Sequence, residues 1–277
     1  MTSPINPPGS GPDSIAARFV AARRGGVALS GFPGVIPPSL AEAYRVQEAG
    51  IRLWPAAIVG WKVGGIAPEQ RGTDSEARLV GPIFAGSVRQ AQPGHSLDFP
   101  VFAGGFAAIE AELVFRIGRD APNGKTEWTP QEALAFADAL HLGVETAGSP
   151  LATINELGPR VVVSDFGNNA GLLLGDAIAD WRSGAFMPLT CISRIEGVEV
   201  GRGTVDALDV APAIALAFAL SRCARNGRPL RAGDLVTTGA ITGIHDIVGE
   251  QHASVAFGDL GEIHCHAVDA PRAEATP

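Results

Sequence analysis

The chain has 277 residues, 46% of them apolar and 18% charged, with a formal net charge of −8. That length buries a sizeable core, and the composition excludes wholesale disorder. The acidic balance argues against nucleic acid or an anionic membrane surface as the main partner, and no apolar run approaches the roughly 20 residues of a membrane span.

The opening "MTSPINPPGSGPDS" lacks a basic region followed by an apolar one, so it is not read as a signal peptide. A disordered leader is expected over residues 1–12 and a disordered tail over 271–277. Between them a single domain is expected over residues 13–270, helical over 13–54 and β-rich over 55–268. Cys191, Cys223 and Cys265 are scattered, with neither metal-ligand spacing nor an even-numbered framework, which fits a reducing cytoplasm. Only two lysines, Lys62 and Lys125, stand against nineteen arginines.

In chain order, "DSIAARFVAARR" (13–24) predicts a short helix with Asp13 or Ser14 as N-cap and Gly25-Gly26 as the stop. Ser39 starts a second helix, and Glu42 three residues on completes a capping box. "AAIVGWKVGG" (56–65) reads as a buried strand carrying Lys62 between glycines. Residues 66–78 are polar and predict a loop or short helix, and "LVGPIFAGSV" (79–88) predicts a further strand. "TPQEALAFADAL" (129–140) predicts a helix with Thr129 as N-cap, Pro130 in the first turn and Glu132 closing the capping box. The strand "HLGVET" (141–146) follows and is expected to end near Glu145. "AGLLLG" is strand-like, and "SRIEGVEVGRG" (193–203) predicts a hairpin turning at Gly197, with "GRG" a turn whose Arg202 faces solvent or a subunit partner. "DVAPAIALAFALSRCARNG" (209–227) predicts the longest helix, ending at Asn226-Gly227. "GDLVTTGAITG" is a strand running into a Gly- and Thr-rich loop, and "ASVAFGDLGEIHCHAV" a hairpin turning between Gly258 and Gly261. Many glycine-bounded strands without regularly alternating helices exclude a doubly wound nucleotide fold. They favour an α+β fold, a curled mixed sheet or β-roll with helices packed outside.

"AIEAELVFR" (108–116) holds the sharpest chemical signal. Strand alternation puts Ile109, Ala111, Leu113 and Phe115 on one apolar face and Glu110, Glu112, Val114 and Arg116 on the other. Neighbours on one face lie roughly 6.5 to 7 Å apart, so the two carboxylates can converge on one object. If both are buried and ionised, protonation, arginine partners or a metal ion must compensate; a solvated edge-strand face is the alternative. Glu145 adds a third acid. Three carboxylates without cysteine describe an oxygen-rich site for Mg²⁺ or Mn²⁺, unless Glu145 is simply a surface residue. Lys62, in an apolar strand, is expected to have a lowered pKa and to serve as a general base, or else to snorkel outward or pair with an acid. Thr237, Thr238 and the amides around Gly239 suit a substrate carboxylate, or form only a glycine turn. His141, His264 and His266 read as hydrogen-bonded structural histidines.

These pieces together resemble the 2-keto-4-pentenoate hydratase and 4-oxalocrotonate decarboxylase branch of the fumarylacetoacetate hydrolase superfamily. The resemblance rests on "AIEAELVFRIG", "GVETAGS" (143–149), "AYRVQ" (43–47), "GWKVGG" (60–65), "GRG" (201–203) and "PLRAGDLVTTGA" (229–240), in order, and spans residues 13–268. It implies a metal-dependent lyase of aromatic-compound catabolism that acts on a small molecule, with no nucleic-acid or membrane partner, assembled as a homo-oligomer. Glu110, Glu112 and Glu145 would hold Mg²⁺ or Mn²⁺, Lys62 would be catalytic, and Thr238, Gly239 and Asn168 would contact a 2-oxo acid substrate. The implied reaction is hydration of a 2-hydroxydienoate or 2-keto-4-enoate to a 4-hydroxy-2-oxo acid. Decarboxylation of a 4-oxalocrotonate-type acid, acylpyruvate hydrolysis or a non-catalytic binding role are the alternatives. Two departures stand out. Leu79 and Val80 occupy the place of the family's acid ahead of Gly81, leaving Asp74 or Glu76 as stand-ins, and "GNNAG" (167–171) replaces an Asp-Asn segment.

Overall fold

The structure is a computed structural model that describes residues 11–271. The expected leader and tail therefore lie outside the described residues, apart from residues 11, 12 and 271. Helix α1 (Pro12–Gly25) starts earlier than Asp13, with Gly11 as N-cap, because Pro12 at the first turn arrives with helical φ and no amide to satisfy. Gly26 closes it in the left-handed region. In α2 (Leu40–Leu53), Ser39 Oγ accepts from the Glu42 amide, but the Glu42 carboxylate pairs with Arg45 at 2.7 Å, so only half of the capping box forms.

Strand β1 (Ile58–Gly65) carries Lys62 and pairs antiparallel with β2 (Arg78–Phe84). Between them run a 3-10 turn at Pro68–Gln70 and a loop. Short β3 (Val88–Gln90) and β4 (Ser96–Val101) lead to the long β5 (Phe106–Ile117). Helix α3 (Pro130–Leu134) has the full Thr129–Glu132 capping box but stops well short of residue 140. Ala137 onward instead forms β6 (Ala137–Ser149), paired with β5 along its whole length. The helix propensity of "EALAFADAL" is overridden there by cross-strand pairing, including an Arg116–Asp138 ion pair at 2.8 Å.

Helix α4 (Pro159–Ser164) precedes β7 (Asn169–Ala177). β8 (Leu189–Ile195) and β9 (Val198–Val205) form the expected hairpin, with Glu196 and Gly197 both at positive φ. The "GRG" segment lies inside β9 and is not a turn; Arg202 is exposed and pairs with Glu199. Helix α5 (Ala211–Arg225) is followed by β10 (Leu235–Thr237), β11 (His245–Asp246), and the closing hairpin of β12 (His252–Phe257) and β13 (Glu262–Asp269).

The fold is mixed α+β, built on a curled half-barrel sheet. One sheet runs β2-β1-β10-β5-β6-β7-β3, with β11 also paired to β5. The second runs β4-β13-β12-β8-β9. Helices α1 and α2 pack on each other, and α5 packs against β1, β2 and β10. β5 is central, with β6 on one edge and β10 and β11 on the other. Both of its faces are buried, so its acids cannot be a solvated edge face. No helix among the described residues is long and apolar enough to cross a membrane.

Candidate metal centre

Strand register brings the three acids together. Glu110 lies directly opposite Glu145 in the β5–β6 pair, and Glu112 follows two residues along the same face. Glu145 is thus in mid-strand, four residues before β6 ends, and not at a strand end. One carboxylate oxygen from each of Glu110, Glu112 and Glu145 lies within 4.8 Å of the others, and all three side chains are buried.

Each acid is held differently. Glu112 Oε2 accepts from the amides of Thr238 and Gly239, both at 2.6 Å. The carboxylate these amides grip is therefore that of Glu112, which corrects the expectation of a substrate carboxylate there. Thr238 Oγ1 meanwhile donates to the Leu113 carbonyl at 3.0 Å. Glu145 Oε1 receives Lys62 Nζ at 3.1 Å and Asn169 Nδ2 at 3.2 Å, and its Oε2 receives Thr237 Oγ1 at 3.5 Å. Oε1 of Glu110 and Oε1 of Glu112 are buried without a hydrogen-bond partner.

Burial, then the neighbouring Glu145, pushes Glu110 up to about 7 against the opposing pull of Lys62. Burial, Glu145 and Glu110 raise Glu112 well above the usual carboxylate range. For Lys62, burial disfavours the ammonium, but Glu145, Glu110 and Glu112 outweigh it and raise its pKa. The expectation of a lowered lysine pKa is overturned because Glu145 lies in contact with Nζ and the charges of Glu110 and Glu112 add to its pull. The cluster holds three carboxylates and one ammonium, so a dication closes its charge. With two orphaned, buried carboxylate oxygens, and one oxygen from each acid within 4.8 Å of the others, this all-oxygen donor set fits a hard divalent ion.

A strained turn sets the other wall. Phe166, Gly167 and Asn168 all have positive φ, at 56°, 65° and 55°, a conformation that costs the two non-glycine residues on the order of 1 kcal/mol each or more. The turn packs on β2 at Gly81, where a Cβ would stand 2.0 Å from the Phe166 carbonyl oxygen. Asn168 Oδ1 thereby accepts from Lys62 Nζ at 3.2 Å, while its Nδ2 donates to Asn155 Oδ1 at 3.1 Å. The acid of this segment, Asp165, is committed elsewhere, in a buried ion pair with Arg23.

The pocket above the cluster measures about 500 Å³ and is walled by Lys62, Glu110, Asn168, Asn155, Leu79 and Asp246 among others. Neither proposed stand-in acid reaches it. Asp74 accepts from the Leu40 amide at 3.2 Å and pairs with Arg160 at 3.0 Å, and Glu76 pairs with Arg222. Asn155, Asn169 and Asp246 were not singled out in the sequence. Asn169 adjoins a chosen residue, whereas Asn155 and Asp246 sit in loop-like stretches with no periodic signal. His141 Nδ1 bonds the Gly175 carbonyl at 3.1 Å and His266 Nδ1 bonds Asp98 at 3.0 Å, both structural contacts away from the cluster. His264 Nε2 lies 3.6 Å from Glu262.

The family model described as fumarylacetoacetate (FAA) hydrolase C-terminal matches residues 83–274. The chain belongs to the fumarylacetoacetate hydrolase family. A TodF product hydratase of Pseudomonas putida is 28% identical over 262 residues, covering 87% of this chain and 90% of that protein. A 2-keto-4-pentenoate hydratase of Paraburkholderia xenovorans is 26% identical over 220 residues, covering 78% of this chain and 76% of that protein. The same fold is seen in 4-oxalocrotonate decarboxylase from Pseudomonas putida G7, solved with calcium and acetate. It matches with a TM-score of 0.74 at 19% identity, over 93% of this chain and 97% of that one.

Proposed function

We propose that this family member is a metal-dependent hydratase that converts a 2-hydroxydienoate, through its 2-keto-enoate tautomer, to a 4-hydroxy-2-oxo acid. The observation that carries this reading is the buried Glu110–Glu112–Glu145 cluster with Lys62 in contact. The hydratase names of the two relatives support it. Glu110, Glu112 and Glu145 are the proposed ligands of Mg²⁺ or Mn²⁺, which when bound supplies Lewis acidity toward the carboxylate and C2 oxygen of a 2-oxo acid.

The remaining steps belong to the chain. Lys62 Nζ, an ammonium held between Glu145 and Asn168, gives its proton to the terminal carbon of the diene and takes back the one from the enol oxygen at C2, which leaves an enone. Water then adds with its oxygen at C4 and its proton at C3. Asn168 and Asn155, hydrogen-bonded to each other on the pocket wall, offer the amide groups that hold this water. The amides of Thr238 and Gly239 act one step back, by fixing Glu112. The fold shared with the named decarboxylase favours decarboxylation as the second reading, because that reaction draws on the same electron sink.

Incubating the Mg²⁺ or Mn²⁺ protein with 2-hydroxypenta-2,4-dienoate and with 4-oxalocrotonate, and following both by NMR, separates the two. A 4-hydroxy-2-oxo product from the first is the expected result. Carbon dioxide release from the second without any hydrated product would overturn the proposal.

A further inference from the structure

We infer that Asp246 is a specificity residue that excludes substrates bearing a second carboxylate at the end remote from the 2-oxo acid group. The inference rests on the proposed 2-oxo acid site and concerns which tail that site admits.

The position follows from register. Asp246 in β11 is the cross-strand partner of Ala108 in β5. Residues 108, 110 and 112 share one face of β5, so Asp246 stands on the glutamate face, diagonal to Glu110 and roughly 7 to 8 Å from it backbone to backbone. The row therefore runs Glu112, Glu110, Asp246. At its inner end the amides of Thr238 and Gly239 close on Glu112, and Arg78 lies beside Gly239. At its outer end Asp246 is exposed and lines the pocket together with Ile244, Gln70, Val162 and Pro159.

The placement is built firmly. The Ile241 and Ile247 amides donate to the carbonyls of Ala111 and Ala107, at 2.8 and 3.0 Å, on either side of β11. His245 turns the opposite way and lies against β9 at Gly201, where a Cβ would stand 2.2 Å from His245 Nε2. At Gly203 a Cβ would stand 1.9 Å from the Ile241 carbonyl oxygen. The two glycines of "GRG" thus let the segment that carries Asp246 pack directly onto β9.

The charges then decide the tail. Among the described residues that line the pocket, Lys62 is the one cation, and Glu145 and Asn168 already hold it. A second carboxylate at the outer end meets Asp246 and no arginine, whereas a neutral tail meets Ile244, Val162 and Pro159. A like-charge pair at this separation, partly exposed, disfavours the dianion by about tenfold.

The test uses the Mg²⁺-loaded protein and two acids of equal length, 2-oxohexanoate and 2-oxoadipate, titrated calorimetrically at low salt. The unmodified protein is expected to bind 2-oxohexanoate about tenfold more tightly. Asp246→Asn, an exposed and near-isosteric change, should bring the two affinities within about threefold. Equal affinities in the unmodified protein, a ratio unmoved by Asp246→Asn, or binding of neither acid each overturns the inference. Binding needs no turnover, so a protein that shows the ratio shift but yields no hydrated product retains this inference and loses the hydratase reading. Hydration with an unmoved ratio does the reverse.

Discussion

Glu112 shows how a buried carboxylate is fixed and left available at once. Two amides at 2.6 Å hold Oε2, while Oε1 has no partner. Its raised pKa records the cost of burying it beside Glu145 and Glu110. Replacing it by glutamine removes a charged ligand oxygen. Affinity for Mg²⁺ or Mn²⁺ should then fall by more than the roughly 10- to 100-fold that loss of a supporting contact costs. Calorimetric titration checks this for Glu112→Gln and for Glu110→Gln, and unchanged affinity in both variants would remove the metal proposal. Lys62 plays a different part, since it touches Glu145 and Asn168 and stands over the pocket. Lys62→Met should keep divalent-ion binding while turnover falls by about 10²- to 10⁴-fold, a general acid–base group's share. A rate within threefold of the parent would show the lysine to be structural.

At the scale of elements, the site depends on two close backbone approaches, one at Gly81 and one at Gly201 and Gly203. Gly81→Ala puts a methyl group 2.0 Å from the Phe166 carbonyl oxygen. The strained 166–168 turn must then move, and Asn168 with it. The expected result is destabilisation of about 1 to 3 kcal/mol, as for an overpacked core, with turnover reduced and Mg²⁺ affinity retained. Thermal melts and titration together check it; a wild-type rate with wild-type stability would show that the approach is not needed. The same contacts mark what was readable in the sequence. The E-x-E alternation placed Glu110 and Glu112 on one face because period two is a local property. "GVET" supplies Glu145, but the turn-like "TAGSP" after it predicts a strand end there, and the helix signals of "TPQEALAFADAL" mask residues 137–140 at the start of β6. Pairing with β5, some thirty residues away along the chain, decides that boundary. Asp246 was invisible for the same reason, because only its register opposite Ala108 gives it a role.

Across the whole molecule, the cluster makes stability depend on pH in a direction opposite to that of ordinary carboxylates. Exposed acids such as Glu132, lowered to about 2 by its hydrogen bonds with Lys125 and Thr129, and Glu199, lowered by Arg202, favour the folded state above their unfolded values. That contribution is complete by about pH 5.5. Glu110 is raised to about 7 and Glu112 is raised as well. Between the unfolded value near 4.5 and the folded one, the folded chain holds protons that the unfolded chain has released. Stability of the metal-free protein therefore falls as pH rises through this window, by about 1.4 kcal/mol per pH unit for each retained proton. Lys62, whose pKa is raised, keeps its contribution until the alkaline side of its ordinary range. Binding a dication must expel the protons on Glu110 and Glu112, so ion affinity rises with pH over the same interval. Melting curves at pH 5, 6, 7 and 8 should show the transition temperature in chelator dropping toward neutrality, and excess Mg²⁺ should raise it most at pH 8. Glu110→Gln should flatten the chelator curve. A metal-free transition temperature that climbs steadily from pH 5 to 8 would mean that the cluster is ionised without an ion, and the account of its charge balance would fail.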